Sequence, residues 1–344
     1  MAGVALRLGL AGFGNVGRAF VSLLAERRRL LAERLGVEPV LVFIADSGGY
    51  LGSPRGLSWG SVEEALRAPR GGVSRLPGGT PGGTVVEALE RLGVDVLVDA
   101  TPSRYDSPEE ALSWWLSVLD SGGAVVTADK APLATRCSSL LGAPSRSRRL
   151  FYKATVMAGT PLIDMLRWGM AGRRVSRLTG VLNGTTNYVL GLAEEGRGFW
   201  EAVRDAQEKG YAEPDPSADL HGHDLAAKAA IVSCTLGSPL SLGEVEVRDR
   251  VDEEAFRRAA EAAARGRRLR YVAVVEPGRG ARVELAEVGP DSPLYRLRGV
   301  MNGALVEPVE AEPVYVEGPG AGRLATAASL LADLAAAVLQ GVVP

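Results

Sequence analysis

A continuous apolar run, Val4–Leu10, leads directly into Gly12, Gly14 and Gly17, spaced as G-x-G-x-x-G. The chain then continues into a segment with Val16, Phe20, Leu23 and Leu24 on one helical face. A glycine turn between a buried strand and a helix start is the fingerprint of a dinucleotide site. The first glycine permits the tight turn, the second lets backbone approach a pyrophosphate, and the third lets helix and strand pack closely. The loop Gly12, Phe13, Gly14, Asn15, Val16 and Gly17 is therefore the expected phosphate contact. A second buried strand, Val40–Ala45, ends in Asp46, where a carboxylate would hold ribose hydroxyls and favour NAD over NADP. Arg55 and the loop around it leave NADP open.

The strand–helix alternation persists for about 150 residues. Glycine- and proline-rich sequence from Ser47 to Gly83 interrupts it, with capping boxes expected at Ser61/Glu64 and Thr84/Glu87. Strands at Val94–Ala100 and Ala124–Thr127, and helices near Pro108–Asp120 and after Pro132, complete a parallel, doubly wound α/β sheet of Rossmann type. Beyond Leu150 the pattern changes to strands and helices in mixed order, which suits an α+β domain. The expected division is residues 1–150 with 321–344 for nucleotide binding, and 151–320 for catalysis and dimerisation. The apolar C-terminal helix after GPGAGR is expected to be buried against the first domain.

A net charge of −2 gives no electrostatic reason to expect nucleic acid or a membrane surface as partner. No apolar run approaches the roughly 20 residues of a membrane span. The two cysteines, Cys137 and Cys234, read as helix-packing residues rather than a disulfide, which makes the cytoplasm the default compartment. Neither sits like a nucleophile in a loop, so aldehyde–alcohol interconversion fits better than oxidation to an acyl product.

Of 39 basic residues only Lys130, Lys153, Lys209 and Lys228 are lysines. Lys228 falls in GYAEPDPSADLHGHDLAAK together with both histidines and four carboxylates. Asp224 and Lys228 are four apart on a predicted helix and share one face, so the carboxylate would aim an ammonium able to polarise a carbonyl and give up a proton. Glu213 and Asp219 flank Pro214 and Pro216, which stiffen the loop for a substrate ammonium group. His221 and His223 form an H-x-H that could ligate zinc in a metal-dependent hydrolase, although the chain contains no third imidazole and no metal is expected.

GLAGFGNVGR, GVLNGTTNYVL, GYAEPDPSADLHGHDLAAKAAI and GPGAGRLATAASLLADL together resemble the homoserine dehydrogenase family, in the same order and over essentially the whole chain. The resemblance implies reversible, NAD- or NADP-dependent reduction of L-aspartate 4-semialdehyde to L-homoserine, on the route to threonine and methionine. It implies that Lys228 is the proton donor, with Asp224 beside it and Lys130 close to substrate and nicotinamide. Glu213, Asp219 and Thr185 would contact the amino acid, and Thr101, Gly318 and Gly320 the cofactor. A homodimer is implied, and the length leaves no room for a separate regulatory domain. A dehydrogenase of another amino-acid aldehyde is the nearest alternative. One departure stands out: family members often carry a glutamate before the ATV segment that helps to hold a monovalent cation, and here the position is Lys153. The expectation is that this ammonium occupies the place of the ion.

Overall fold

A computed structural model describes residues 3–344, which divide into two compact units. The first comprises residues 3–132, 139–155 and 322–344, and the second comprises 133–138 and 156–321.

The first unit begins with β1 (Val4–Ala11), α1 (Asn15–Leu35), β2 (Val37–Asp46), β3 (Gly49–Gly52), α2 (Trp59–Arg67), β4 (Gly79–Pro81) and α3 (Val85–Leu92). It continues with β5 (Val96–Asp99), α4 (Glu109–Asp120), β6 (Ala124–Thr127), α5 (Ala131–Leu141, kinked at Arg136, its residues 133–138 belonging to the second unit), α6 (Pro144–Ser147) and β7 (Leu150–Phe151). The sheet order is β4-β3-β2-β1-β5-β6-β7, parallel from β2 to β7. Strand order reverses between β1 and β5, the crevice where open α/β sheets bind their ligands. Two short strands, β3 and β4, extend the β2 edge antiparallel. The glycine-rich stretch hides them, because their pairing is set by turns rather than by an apolar run. The core on one face joins Leu6, Leu8 and Leu10 of β1 to Phe20 and Leu24 of α1 and to Ala327, Leu330 and Leu334 of the terminal helix (Arg323–Leu339). The terminal helix thus packs within the first unit.

The Thr84/Glu87 capping box forms as expected. At α2 the expectation of Ser61 is corrected: the helix starts earlier, and Ser58 caps it by accepting from the Ser61 amide.

The second unit contains α7 (Leu162–Asp164, continued by a π-helical turn to Gly169), β8 (Val175–Val181), α8 (Gly184–Ala193), α9 (Phe199–Glu208), α10 (Ser217–Leu220) and α11 (His223–Thr235). β9 (Glu246–Val247), α12 (Glu253–Ala264), β10 (Arg268–Glu276), β11 (Gly280–Val288), β12 (Met301–Pro308) and β13 (Val314–Pro319) follow. Its sheet runs β13-β12-β8-β10-β11-β9, antiparallel except for β11 with β9. Helices α8, α11 and α12 pack on β10, and every residue of α11 from Leu225 to Cys234 is buried.

One expectation is overturned here. Cys137 and Cys234 form a disulfide, with Cα atoms 6.3 Å apart and 97 residues between them in sequence. Two buried thiols in helices looked like packing residues because sequence separation conceals their proximity. In the fold the bond ties the Leu133–Ser138 segment to α11 within the second unit.

Candidate active site

The expected site residues fall into two sets, one in each unit. In the first unit β1 delivers the glycine loop at the edge of the strand-order reversal. Gly12 has φ +89°, and a Cβ there would lie 2.6 Å from the Ala100 carbonyl carbon. A Cβ on Gly17 would lie 2.0 Å from the Gly12 carbonyl oxygen, so both positions demand glycine. Gly14 faces open space and caps α1 without any side-chain acceptor, and the first turn of α1 carries no acid. A helix N-terminus with its amides uncapped and no carboxylate nearby suits a pyrophosphate.

The side chains of this loop divide their work. Phe13 is buried in the core, with the Arg18 guanidinium 4.5 Å above its ring, so it can face a cofactor only through its backbone. Val16 packs against the same core. Asn15 Oδ1 accepts from Arg70 at 2.7 Å, which places at the glycine loop an arginine that sequence reasoning missed, since Arg70 is 55 positions further along. The Asp46 carboxylate accepts the backbone amides of Gly48 (2.9 Å) and Val73 (3.2 Å) and thereby shapes the loop after β2.

After β5, the Thr101 amide and hydroxyl both donate to Asp99 Oδ1 (2.9 and 2.6 Å). After β6, the Lys130 amide donates to Ser103 Oγ at 2.9 Å, joining the two turns. Lys153, also in this unit, lies against Asp333 of the terminal helix: its amide donates to Oδ2 at 3.0 Å, and its Nζ is 3.5 Å from Oδ1. Asp333 is 1 % exposed, so the ammonium answers a buried charge.

In the second unit the acid–lysine segment assembles closely. Lys228 is 7 % exposed on α11. Its Nζ donates to the Leu182 carbonyl at 2.6 Å and meets Asp224 Oδ2 at 2.7 Å. Asn183 donates to Asp219 Oδ1 (2.6 Å) and to Asp224 Oδ2 (3.0 Å), and it also caps α8 by accepting from Thr186. Thr185 donates to the Tyr211 carbonyl and also hydrogen-bonds Asp219. Burial pushes the Asp219 carboxyl upward and the Asp224 charge adds to this, while Asn183, Thr185 and Lys228 pull it back. Asn183 and the Leu182 carbonyl were absent from the sequence reading. Their signal was the asparagine of GVLNGTTNYVL, which stands immediately before α8, the helix that carries Thr185.

Glu213 is exposed and lies outside this hydrogen-bonded cluster, its backbone carbonyl accepting from Gln207. Gly318 and Gly320 sit where a Cβ would lie 2.1 Å from Thr160 Oγ1 and from Asn302, so packing alone requires glycine at both. His221 and His223 are exposed on either side of the buried Gly222. Among the described residues no group of three histidine, cysteine or carboxylate side chains is placed to hold a metal. No helix among the described residues is long and apolar enough to cross a membrane.

The sequence model described as homoserine dehydrogenase matches residues 161–335. The chain is 35% identical to the NAD(+)-dependent homoserine dehydrogenase of Pseudomonas canavaninivorans over 95% of both chains. The chain belongs to the homoserine dehydrogenase family. It is also 32% identical to the homoserine dehydrogenase of Sulfurisphaera tokodaii, covering 96% of this chain and 97% of that one. Among solved structures, a putative homoserine dehydrogenase from Archaeoglobus fulgidus superimposes with a TM-score of 0.83 at 28% identity, over 96% of this chain and 98% of that chain. A hyperthermophilic archaeal homoserine dehydrogenase in complex with NADPH gives 0.81 at 29% identity, over 98% of both. Membership of this family disfavours the hydrolase reading of the two histidines.

Proposed function

We propose that the chain interconverts L-homoserine and L-aspartate 4-semialdehyde with NAD or NADP, and that Lys228 carries the proton. One observation supports this role above all. The buried ammonium has three N–H bonds, two of which go to the Leu182 carbonyl and Asp224, leaving one to point at a substrate oxygen. NAD(P)H, when bound, supplies the hydride. In the reductive direction Lys228 donates to the aldehyde oxygen, its charge stabilises the developing alkoxide, and its proton completes the alcohol. Asp219 and Asp224, bridged by Asn183, answer the substrate ammonium, with Glu213 and Thr185 completing the pocket. The glycine loop, Asp46, Thr101, Lys130, Gly318 and Gly320 hold the nucleotide, and Lys130 also faces the reacting groups. The fit of the uncapped α1 N-terminus and open Gly14 to a pyrophosphate supports the nucleotide half of this reading.

Purified protein given L-homoserine with NAD+ or NADP+ should produce reduced nicotinamide, followed by absorbance. No reduction of either nucleotide would overturn the assignment. The Lys153–Asp333 pair supports turnover that needs no added sodium or potassium, and a strict requirement for either ion would refute that part. A homodimer is the proposed working form, to be checked by light scattering for twice the chain mass.

A further inference from the structure

Asp99 and Asp129 stand at the ends of adjacent parallel strands, β5 and β6, and are 0 and 2 % exposed. Neither has a part in the chemistry above. Their hydrogen bonds, however, hold the two turns assigned to the nucleotide. Asp99 Oδ1 accepts both donors of Thr101, and its Oδ2 accepts Trp115 Nε1 at 2.8 Å. Asp129 anchors its own turn, its amide donating to Thr127 Oγ1 (2.9 Å) and its Oδ1 accepting from Ala131 (2.9 Å). The Ser103 hydroxyl hydrogen-bonds Asp129 while its oxygen accepts the Lys130 amide. Ser103 therefore couples one carboxyl to the backbone that carries Lys130.

Two carboxylates buried this close cannot both stay ionised without cost. The other charges around Asp129 are few. Lys130 belongs to the same turn. Of the elements packed on β6, the terminal helix and the turn after β7 bring Asp333 and Lys153, which answer one another. β7 brings no titratable group, and Glu109, Glu110 and Asp120 of α4 are exposed.

We propose that Asp129 is a positioning residue for the nucleotide site. Through Ser103 it fixes the Lys130 backbone against the Thr101 turn, and a second negative charge buried beside Asp99 pushes the two turns apart, so the site loosens when both acids are ionised. Burial first, and then the Asp99 charge, push the Asp129 carboxyl up to about 7, which puts the change within the working range. The inference rests on reading these two turns as nucleotide contacts.

The test is the dissociation constant of NADH and of NADPH, by nucleotide fluorescence, from pH 6 to 9. The wild type should lose about tenfold in affinity across neutrality, about one decade for a proton coupled to binding by one pKa unit. Asp129→Asn, whose side-chain oxygen can still accept from Ser103 and which carries no charge at any pH, should keep the acid-side affinity and show a flat profile. A variant with the wild-type slope would overturn the proposal. Should that variant fail to fold, Ser103→Ala leaves both acids in place and should weaken binding severalfold at pH 6.5. Wild-type affinity there would equally overturn it. A merely structural pair would change melting temperature with pH and leave these constants unmoved. Because binding is measured without homoserine, the outcome is separate from the reaction assigned above: homoserine left unreacted despite this binding profile would refute that reaction alone, and turnover with a pH-flat wild-type constant would refute the positioning role alone.

Discussion

The first unit buries Asp99 beside Asp129, and the second sets Asp219 beside Asp224. In the second, Lys228 touches Asp224 at 2.7 Å and one asparagine amide bridges both acids. In the first, the donors are Thr101, Trp115, Ser103 and backbone amides, and mutual repulsion adds to burial. The same pair of side chains is thereby put to two uses. An acid pair held by an ammonium suits a charged clamp, whereas on the proposal above a pair held by neutral donors serves as a brace that loosens when both acids ionise.

The comparison breaks most decisively at Lys228. Replacing it with arginine keeps a cation beside Asp224 but supplies a guanidinium that does not release its proton, so turnover should fall by about 10²–10⁴. Near-normal turnover would mean that charge alone suffices. Asn183→Ala removes the neutral bridge and leaves two acids sharing a single ammonium. Its expected effect is roughly a tenfold loss in kcat/KM, about 1.4 kcal/mol, read chiefly as a higher KM for homoserine. An unchanged KM would show that the clamp needs no bridge.

The smaller effect concerns the brace. Because the folded Asp129 carboxyl lies above its unfolded value, its contribution to stability is complete below about pH 4 and is lost as pH rises to about 7. Between pH 5 and 8 the wild type should lose melting temperature relative to Asp129→Asn, by a few degrees. Parallel melting curves for the two proteins would place the proton elsewhere.

How much of this was legible depended on the range of each interaction. The glycine loop and β1 declare themselves within about fifteen residues, because strand, turn and helix are consecutive. The Asp224–Lys228 pair is equally local, one helical turn apart. Asn183 lies 41 positions from Asp224, Ser103 27 from Lys130 and Arg70 55 from Asn15, and no periodicity links such pairs. The disulfide is the extreme case, at 97 residues. A cross-link closing so long a loop should contribute about 4–5 kcal/mol. Cys137→Ser should therefore lower the denaturation midpoint markedly, and a midpoint insensitive to this change and to reductant would show the bond contributes nothing in solution. β3 and β4 escaped notice for a related reason, since glycines and turns rather than apolar residues define them.

The central claim is that the ammonium on α11 serves the chemical step and not nucleotide binding. Its most direct test is Lys228→Ala, with kcat for homoserine oxidation and the dissociation constant of NAD(P)H measured on the same preparation. The account predicts a loss in kcat of about three orders of magnitude with the dissociation constant unchanged within about twofold. Retained turnover, or lost nucleotide binding in a folded protein, would contradict it.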